Sequence, residues 1–185
     1  MILFSLPPLP VVIVLLVMLM TAAVFDVRSR RIPNWLTVTG VAVGLAMNGV
    51  IGSPEGGLIF SLTGLLMAFV IYGVLYALHA MGAGDVKLMA AVGALAGWQR
   101  WFGIFFVTAL IGGVMALILV LSRGRLKKTL FNVSFILSQM KSGRPAYLAN
   151  EELDVRNKKA LGLPHGAVIA VSTLFYLALS AQMVK

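Results

Sequence analysis

The chain has 185 residues, of which 60% are hydrophobic and 11% are charged, and its net charge is +9. A soluble domain carries about 25% charged residues, so this composition indicates a membrane protein. Cysteine is absent, which excludes disulfides, a thiol nucleophile and a cysteine-ligated zinc ion. The basic residues lie in links that flank apolar runs, which is typical of membrane topology and not of nucleic-acid binding.

The first apolar run, Leu6–Phe25, is followed by Asp26 and then by Arg28, Arg30 and Arg31. A signal peptide would carry basic residues before its apolar core, whereas here they follow it. The positive-inside rule therefore places the N-terminus outside and Asp26 at the cytoplasmic end of a retained span.

Two further apolar runs predict spans at Trp35–Gly52 and Leu58–Leu78, with an outer turn at Ser53–Gly57 between them. Gly40 and Gly44 have the small-xxx-small spacing that allows close helix packing. The third span returns the chain to the cytoplasmic side.

The next segment, Gly82–Trp98, has seventeen residues, the lower limit for a span, and a re-entrant segment is the alternative. The fifth span, Phe102–Leu121, leads into the loop Ser122–Ala160, which holds nine of the fifteen lysines and arginines. That loop is cytoplasmic only if Gly82–Trp98 crosses the membrane. The charge rule therefore favours a span.

With a last span at about Leu163–Met183, the predicted fold is one all-α, polytopic membrane domain over residues 1–185. It has six transmembrane helices, with both termini outside. In the basic loop, about residues 122–160, Thr129–Met140 is too short to span and predicts an amphipathic helix at the interface. The positive charge of the loop favours contact with anionic lipid, and docking of a partner is the alternative.

Asp26 and Asp85 are the acids that this topology places at span ends, both on the cytoplasmic side. An intramembrane charge costs roughly 3 kcal/mol, so such a residue is by default a functional-site hypothesis. Two carboxyl groups that share one proton can polarise an amide carbonyl and take a proton from water. This is aspartyl-protease chemistry. Helix capping, pairing with a nearby base, and proton or cation relay in a transporter remain alternatives.

Two motifs resemble those of a known family. The stretch at 82–97, GAGDVKLMAAVGALAG, resembles the GxGDxKL signature of the prepilin peptidases, the GxGD-type aspartyl proteases that trim leader peptides from type IV pilins. Asp26, a few residues before an Ile-Pro-Asn element, is similar to that family's other motif. The resemblance implies catalytic roles for Asp26 and Asp85, with supporting roles for Gly82, Gly84, Lys87, Ile32, Pro33 and Asn34.

The resemblance further implies a multi-pass enzyme of a prokaryotic inner membrane, which cuts prepilins or pseudopilins at the cytoplasmic face without a metal or cofactor. The chain lacks the family's cysteine-rich segment and looks like the short branch that serves Flp or tight-adherence pili, which leaves N-methyltransferase activity open. A non-catalytic scaffold of a pilus or secretion system is a further alternative. It would tolerate asparagine at both aspartate positions.

Five finer expectations concern single residues or pairs of glycines. Glycine at 82 and 84 would let a substrate backbone approach closely, and Gly93 and Gly97 would pack against the substrate's apolar helix. Lys87 either positions the aspartate pair or anchors the chain at the interface. Two further positions are interpreted as structural: His165, within a Pro-His-Gly element, and Trp101, in an outer aromatic belt with Trp98.

Overall fold

A computed structural model describes residues 6–51, 57–141 and 163–183, and these ranges are helical, with no strand among them. Within them lie seven helices, and α1, α3, α5 and α7 are long and apolar enough to cross a membrane. The prediction of an all-α membrane chain is therefore confirmed for the described residues. The helices are α1 (Leu9–Ser29), α2 (Asn34–Ile51), α3 (Gly57–Ala77), α4 (Ala83–Ala96), α5 (Trp98–Ser122), α6 (Leu126–Lys141) and α7 (His165–Met183).

The helix α4 lies at the centre of the molecule. The other helices around it, α1, α2, α3, α5 and α7, form a closed ring in which each contacts the next, and all five contact α4. Every residue from Leu88 to Gly97 is buried. A helix that is enclosed on all sides has no need of a polar face, which explains why this stretch is apolar throughout.

The central helix is also short. Its 14 residues make it about 21 Å long, whereas the hydrocarbon core of a bilayer is about 30 Å thick. Gly97, with a φ of 78°, ends α4, and α5 begins at the next residue. The fourth and fifth predicted segments therefore form a tight helical hairpin, and a complete crossing by Gly82–Trp98 stays a prediction.

Glycines allow the ring to approach α4 closely. A Cβ atom on Gly64 of α3 would collide with the carbonyl oxygen of Gly93, and one on Gly44 of α2 would lie 2.8 Å from the carbonyl carbon of Ala94. The predicted close packing at Gly44 is confirmed. The expectation that Gly93 and Gly97 receive a substrate helix is wrong, because α3 already occupies the space beside both.

The two tryptophans at the start of α5 have different environments. Trp98 is 40% exposed, as a residue in an interfacial belt would be. Trp101 is fully buried and packs against Tyr72 and Phe105, with ring centroids 6.2 and 5.5 Å away. Its predicted place in an outer belt is therefore wrong. The helical hairpin turns Trp101 inward, where it fills the space between α3 and α5.

The helix α6 covers the stretch that was predicted to be amphipathic and extends beyond it at both ends. Its exposed apolar side chains include Leu126, Leu130, Phe131 and Val133. The helix is confirmed, and its position at the membrane interface stays a prediction. The remainder of the basic loop, residues 142–162, and most of the outer turn, residues 52–56, lie outside the described residues.

Candidate active site

Asp26 lies near the end of α1 and is only 7% exposed. Its backbone carbonyl accepts a hydrogen bond from Arg30, whose left-handed φ of 53° ends the helix. The Oδ2 atom of Asp26 accepts hydrogen bonds from the N–H groups of Gly166, at 2.8 Å, and Ala167, at 3.4 Å. The carboxylate thus caps the start of α7, where N–H groups have no partner inside the helix.

Gly166 provides the space that this contact requires. A Cβ atom at this position would lie 3.1 Å from Oδ2 of Asp26 and 3.0 Å from Cδ1 of Ile32. The sequence interpretation gave the Pro-His-Gly element no role at the site, so Gly166 is a site residue that it missed. No local pattern could identify it, because its partner, Asp26, lies 140 residues away in the chain.

His165, the first residue of α7, is directed towards α5. Its Cε1 atom lies 4.0 Å from the position that a Cβ atom on Gly112 would occupy. Its Nε2 atom is buried and has no hydrogen-bond partner within the described part of the chain. These contacts are compatible with the structural interpretation of this histidine.

Asp85 lies in the first turn of α4, outside the four candidate spans. Its Oδ2 atom accepts a hydrogen bond from the N–H group of Gly82 at 3.3 Å, so the predicted helix-capping contact is present. Burial and the nearby charge of Asp26 raise the pKa of Asp85 to about 6, and the Gly82 hydrogen bond opposes this rise. The two aspartates, 59 residues apart in the chain, therefore interact electrostatically.

The connector, residues 30–33 between α1 and α2, contacts a glycine beside each of the two aspartates. The Ile32 side chain lies 3.4 Å from the position of a Cβ atom on Gly84, beside Asp85, and it also contacts Gly166, beside Asp26. Close approach of a substrate backbone at Gly82 and Gly84 stays a prediction. Pro33 comes directly before α2, where a residue without an N–H group is tolerated.

Lys87 joins the two sequence motifs directly. Its Nζ atom donates a hydrogen bond to Oδ1 of Asn34, the first residue of α2, at 3.0 Å. A role for Lys87 in positioning the aspartate pair stays a prediction, as does the alternative of an anchor in the interface. Across the described ranges, no three His, Asp or Glu side chains lie close enough together to hold a metal ion.

Comparison with known proteins places these motifs in a family. The model of the type IV leader peptidase family matches residues 13–117, a range that includes both aspartates. The chain is 34% identical over 111 residues to a prepilin leader peptidase/N-methyltransferase of Pectobacterium carotovorum subsp. carotovorum. It is 30% identical over 123 residues to the protein of that name from Neisseria gonorrhoeae, and 32% identical over 105 residues to that of Escherichia coli (strain K12).

These alignments cover 57%, 61% and 51% of this chain, respectively. They cover 40%, 41% and 44% of the relatives, so the chain spans about two fifths of the length of the curated relatives that it matches. No solved structure matches the chain.

Proposed function

Because the chain belongs to the type IV leader peptidase family, we propose that it is a membrane aspartyl endopeptidase that removes the leader peptides of type IV prepilins or pseudopilins. The observation that carries this proposal is that Asp26 and Asp85, from two different helices, lie on either side of Ile32. The Ile32 side chain lies beside Gly166, which binds Asp26, and beside Gly84, which precedes Asp85. Both aspartates lie where the family's motifs place one. The proposal concerns cleavage alone, although the names of the relatives also include N-methyltransferase.

The two carboxyl groups have different surroundings, and these suggest a division of roles. The pKa of Asp85 is raised towards neutrality, so Asp85 is suited to hold the shared proton and donate it to the oxygen of the scissile carbonyl. Asp26, whose Oδ2 atom accepts two amide N–H groups, takes a proton from the attacking water. The water oxygen then bonds to the carbonyl carbon. When the C–N bond breaks, the leaving nitrogen takes the proton from Asp26, and one hydroxyl group of the intermediate returns its proton to Asp85. The pair again holds one proton, and no metal or cofactor takes part.

The proposed topology follows the distribution of charge. Six segments, α1 to α5 and α7, lie in the inner membrane of a prokaryote with both termini outside, and the first turn of α4 lies at the cytoplasmic surface. The exposed Lys87 and the arginines that follow Asp26 would then also lie at the cytoplasmic surface. The leader of a prepilin, on the cytoplasmic side of its apolar helix, would then reach both aspartates.

Two finer parts of the proposal concern partners. Arg123, Arg125, Lys127 and Lys128 cluster where α5 meets α6, and they would contact anionic lipid headgroups while the apolar side chains of α6 enter the interface. The substrate class would be Flp-like prepilins.

Cleavage of a Flp-type prepilin by the purified full chain in lipid nanodiscs tests the proposal. Loss of the leader would be followed as a mass shift. Asp26→Asn and Asp85→Asn are expected to fold and to lose at least 10³-fold in rate, because each removes one of the two groups that move protons. Thr21→Val is the matched control, since among the described residues this half-buried threonine bonds only to the carbonyl of Val17 in its own helix.

Full cleavage by either asparagine variant would refute the two-aspartate mechanism. A wild-type chain that leaves prepilin intact but drives ion-coupled uptake, lost in the same variants, would support a transporter. Pilus assembly that proceeds normally with both asparagine variants would support a scaffold.

A further inference from the structure

The C-terminal end of α4 lies inside the protein, where three other helices donate hydrogen bonds to it. The Nδ2 atom of Asn48, on α2, donates to the carbonyl oxygens of Ala94 and Leu95 at 3.0 and 3.2 Å. The hydroxyl group of Ser61, on α3, also donates to Ala94. Arg100, on α5, donates from Nη1 to the carbonyl oxygen of Ala96 at 3.3 Å.

These contacts satisfy carbonyl groups that a helix cannot satisfy by itself. The last four carbonyls of a helix have no partner within it, and a membrane interior offers no water in their place. Gly93 accepts the N–H group of Gly97, so each carbonyl from Gly93 to Ala96 has a donor. The donors are themselves buried: Asn48 is 3%, Ser61 0% and Arg100 5% exposed.

The same helix, α2, bonds to α4 near both ends. Asn34 accepts a hydrogen bond from Lys87 near the start of α4, and Asn48 donates to its last turn. A slide of α4 by one residue would move it by about 1.5 Å along its axis and would break both contacts. Asp85 would move by the same distance, whereas Asp26 stays bound to α7.

We propose that Asn48, assisted by Ser61 and Arg100, is a positioning residue that sets the depth of α4 and thereby holds Asp85 opposite Asp26. This role rests on the proposed function. It extends that function to a residue about 14 Å along α4 from the reacting groups. Asn48 touches no reacting atom and acts through the backbone of α4.

Kinetics with a prepilin provide the first test. Asn48→Leu keeps a similar volume but removes the donor, and a displacement of Asp85 by about 1 Å predicts a 10- to 100-fold loss in kcat. KM should stay within about twofold, because the substrate-facing surface is unchanged.

Ser61→Ala should show a smaller loss in kcat, and Ser61→Thr, which keeps the hydroxyl group, should have a kcat close to that of the wild type. The matched control is Ser172→Ala, because within the described ranges the buried Ser172 hydroxyl bonds only to Val168 of its own helix.

A distance measurement provides a second test that needs no substrate. Because the chain has no cysteine, spin labels can be placed at Ala83→Cys, at the exposed start of α4, and Val50→Cys, which is 86% exposed on α2. Asn48→Leu should shift or broaden the distance between the labels by about 1.5 Å or more, and Ser172→Ala should leave it unchanged. Should Asn48→Leu fail to fold, Ser61→Ala carries the same comparison.

An unchanged distance in folded Asn48→Leu would overturn the positioning role, and so would a changed distance with normal kcat. If the wild-type chain does not cut prepilin at all, the proposed function fails, and the spin-label distance still decides whether Asn48 sets the position of α4.

Discussion

Gly166 is the residue at which a single methyl group would disturb Asp26 and the connector together. In Gly166→Ala the new Cβ would lie 3.0 to 3.2 Å from atoms of Ile32 and Asp26, so the carboxylate must shift away from the start of α7. We expect prepilin cleavage to fall by about 10- to 100-fold while the protein stays folded, since a displacement of about 1 Å at a reacting group has this effect.

Gly113→Ala, on α5, is the control for this experiment, because a Cβ atom there meets nothing within 4 Å. It should leave the cleavage rate unchanged. A Gly166→Ala enzyme with the wild-type rate would show that the Asp26–Gly166 contact is dispensable for catalysis.

For single residues, the sequence indicated most of the side chains that belong to the site. It did not indicate which of them form hydrogen bonds with each other. Both motifs could be recognised, and Lys87 and Asn34 were each assigned to one of them. Their hydrogen bond joins residues 53 positions apart, and no local pattern specifies such a pairing. Gly166 was missed because its contact is also with a residue distant in the sequence. In the sequence, a glycine that provides space for a distant carboxylate cannot be distinguished from other glycines near a helix start.

At the scale of elements, the contact between α3 and α4 depends on two glycines that face each other. A Cβ atom on Gly64 would collide with the backbone of Gly93, and backbone atoms cannot move aside as a flexible side chain can. Gly64→Ala is therefore expected to lower the free energy of unfolding by about 1–3 kcal/mol. A thermal-melting assay on detergent-solubilised protein would measure the loss.

Gly73→Ala, on the same helix, should be neutral or slightly stabilising, because its Cβ would meet nothing within 4 Å and alanine favours a helix by up to about 1 kcal/mol. Equal melting temperatures for Gly64→Ala and Gly73→Ala would contradict the assigned packing.

The helices themselves could be predicted from apolar runs and basic links. The enclosure of α4 by the other helices could not be predicted in this way. Hydropathy does not distinguish an apolar stretch that faces lipid from one that is enclosed by other helices. Asn48 has the one amide side chain in the second predicted span, and it was the available signal that a helix end lies inside the molecule, because a buried amide needs a partner. The partner, at the end of α4, depends on the three-dimensional arrangement.

For the molecule as a whole, the helices around the first turn of α4 create an unfavourable environment for the charge of Asp85. The pKa of Asp85 rises from its ordinary value of 3.8 to about 6 through burial and the proximity of Asp26, so the ionised carboxylate destabilises the folded state. Enzymes often accept such a loss of stability at a functional site. The same interaction that keeps a proton available for chemistry therefore makes the molecule less stable near neutral pH.

Asp85→Asn should accordingly be more stable than the wild type, by on the order of 3 kcal/mol at pH 7.5, because asparagine keeps the acceptor for Gly82 and carries no charge. Below pH 3.8 the wild-type carboxyl is protonated in both the folded and the unfolded chain, so the advantage disappears there. It grows as the pH rises from about 4 to about 6 and is constant above that. Melting temperatures of both proteins between pH 4 and pH 8 would show this divergence. A difference that does not vary with pH would mean that ionisation of Asp85 has no effect on folding.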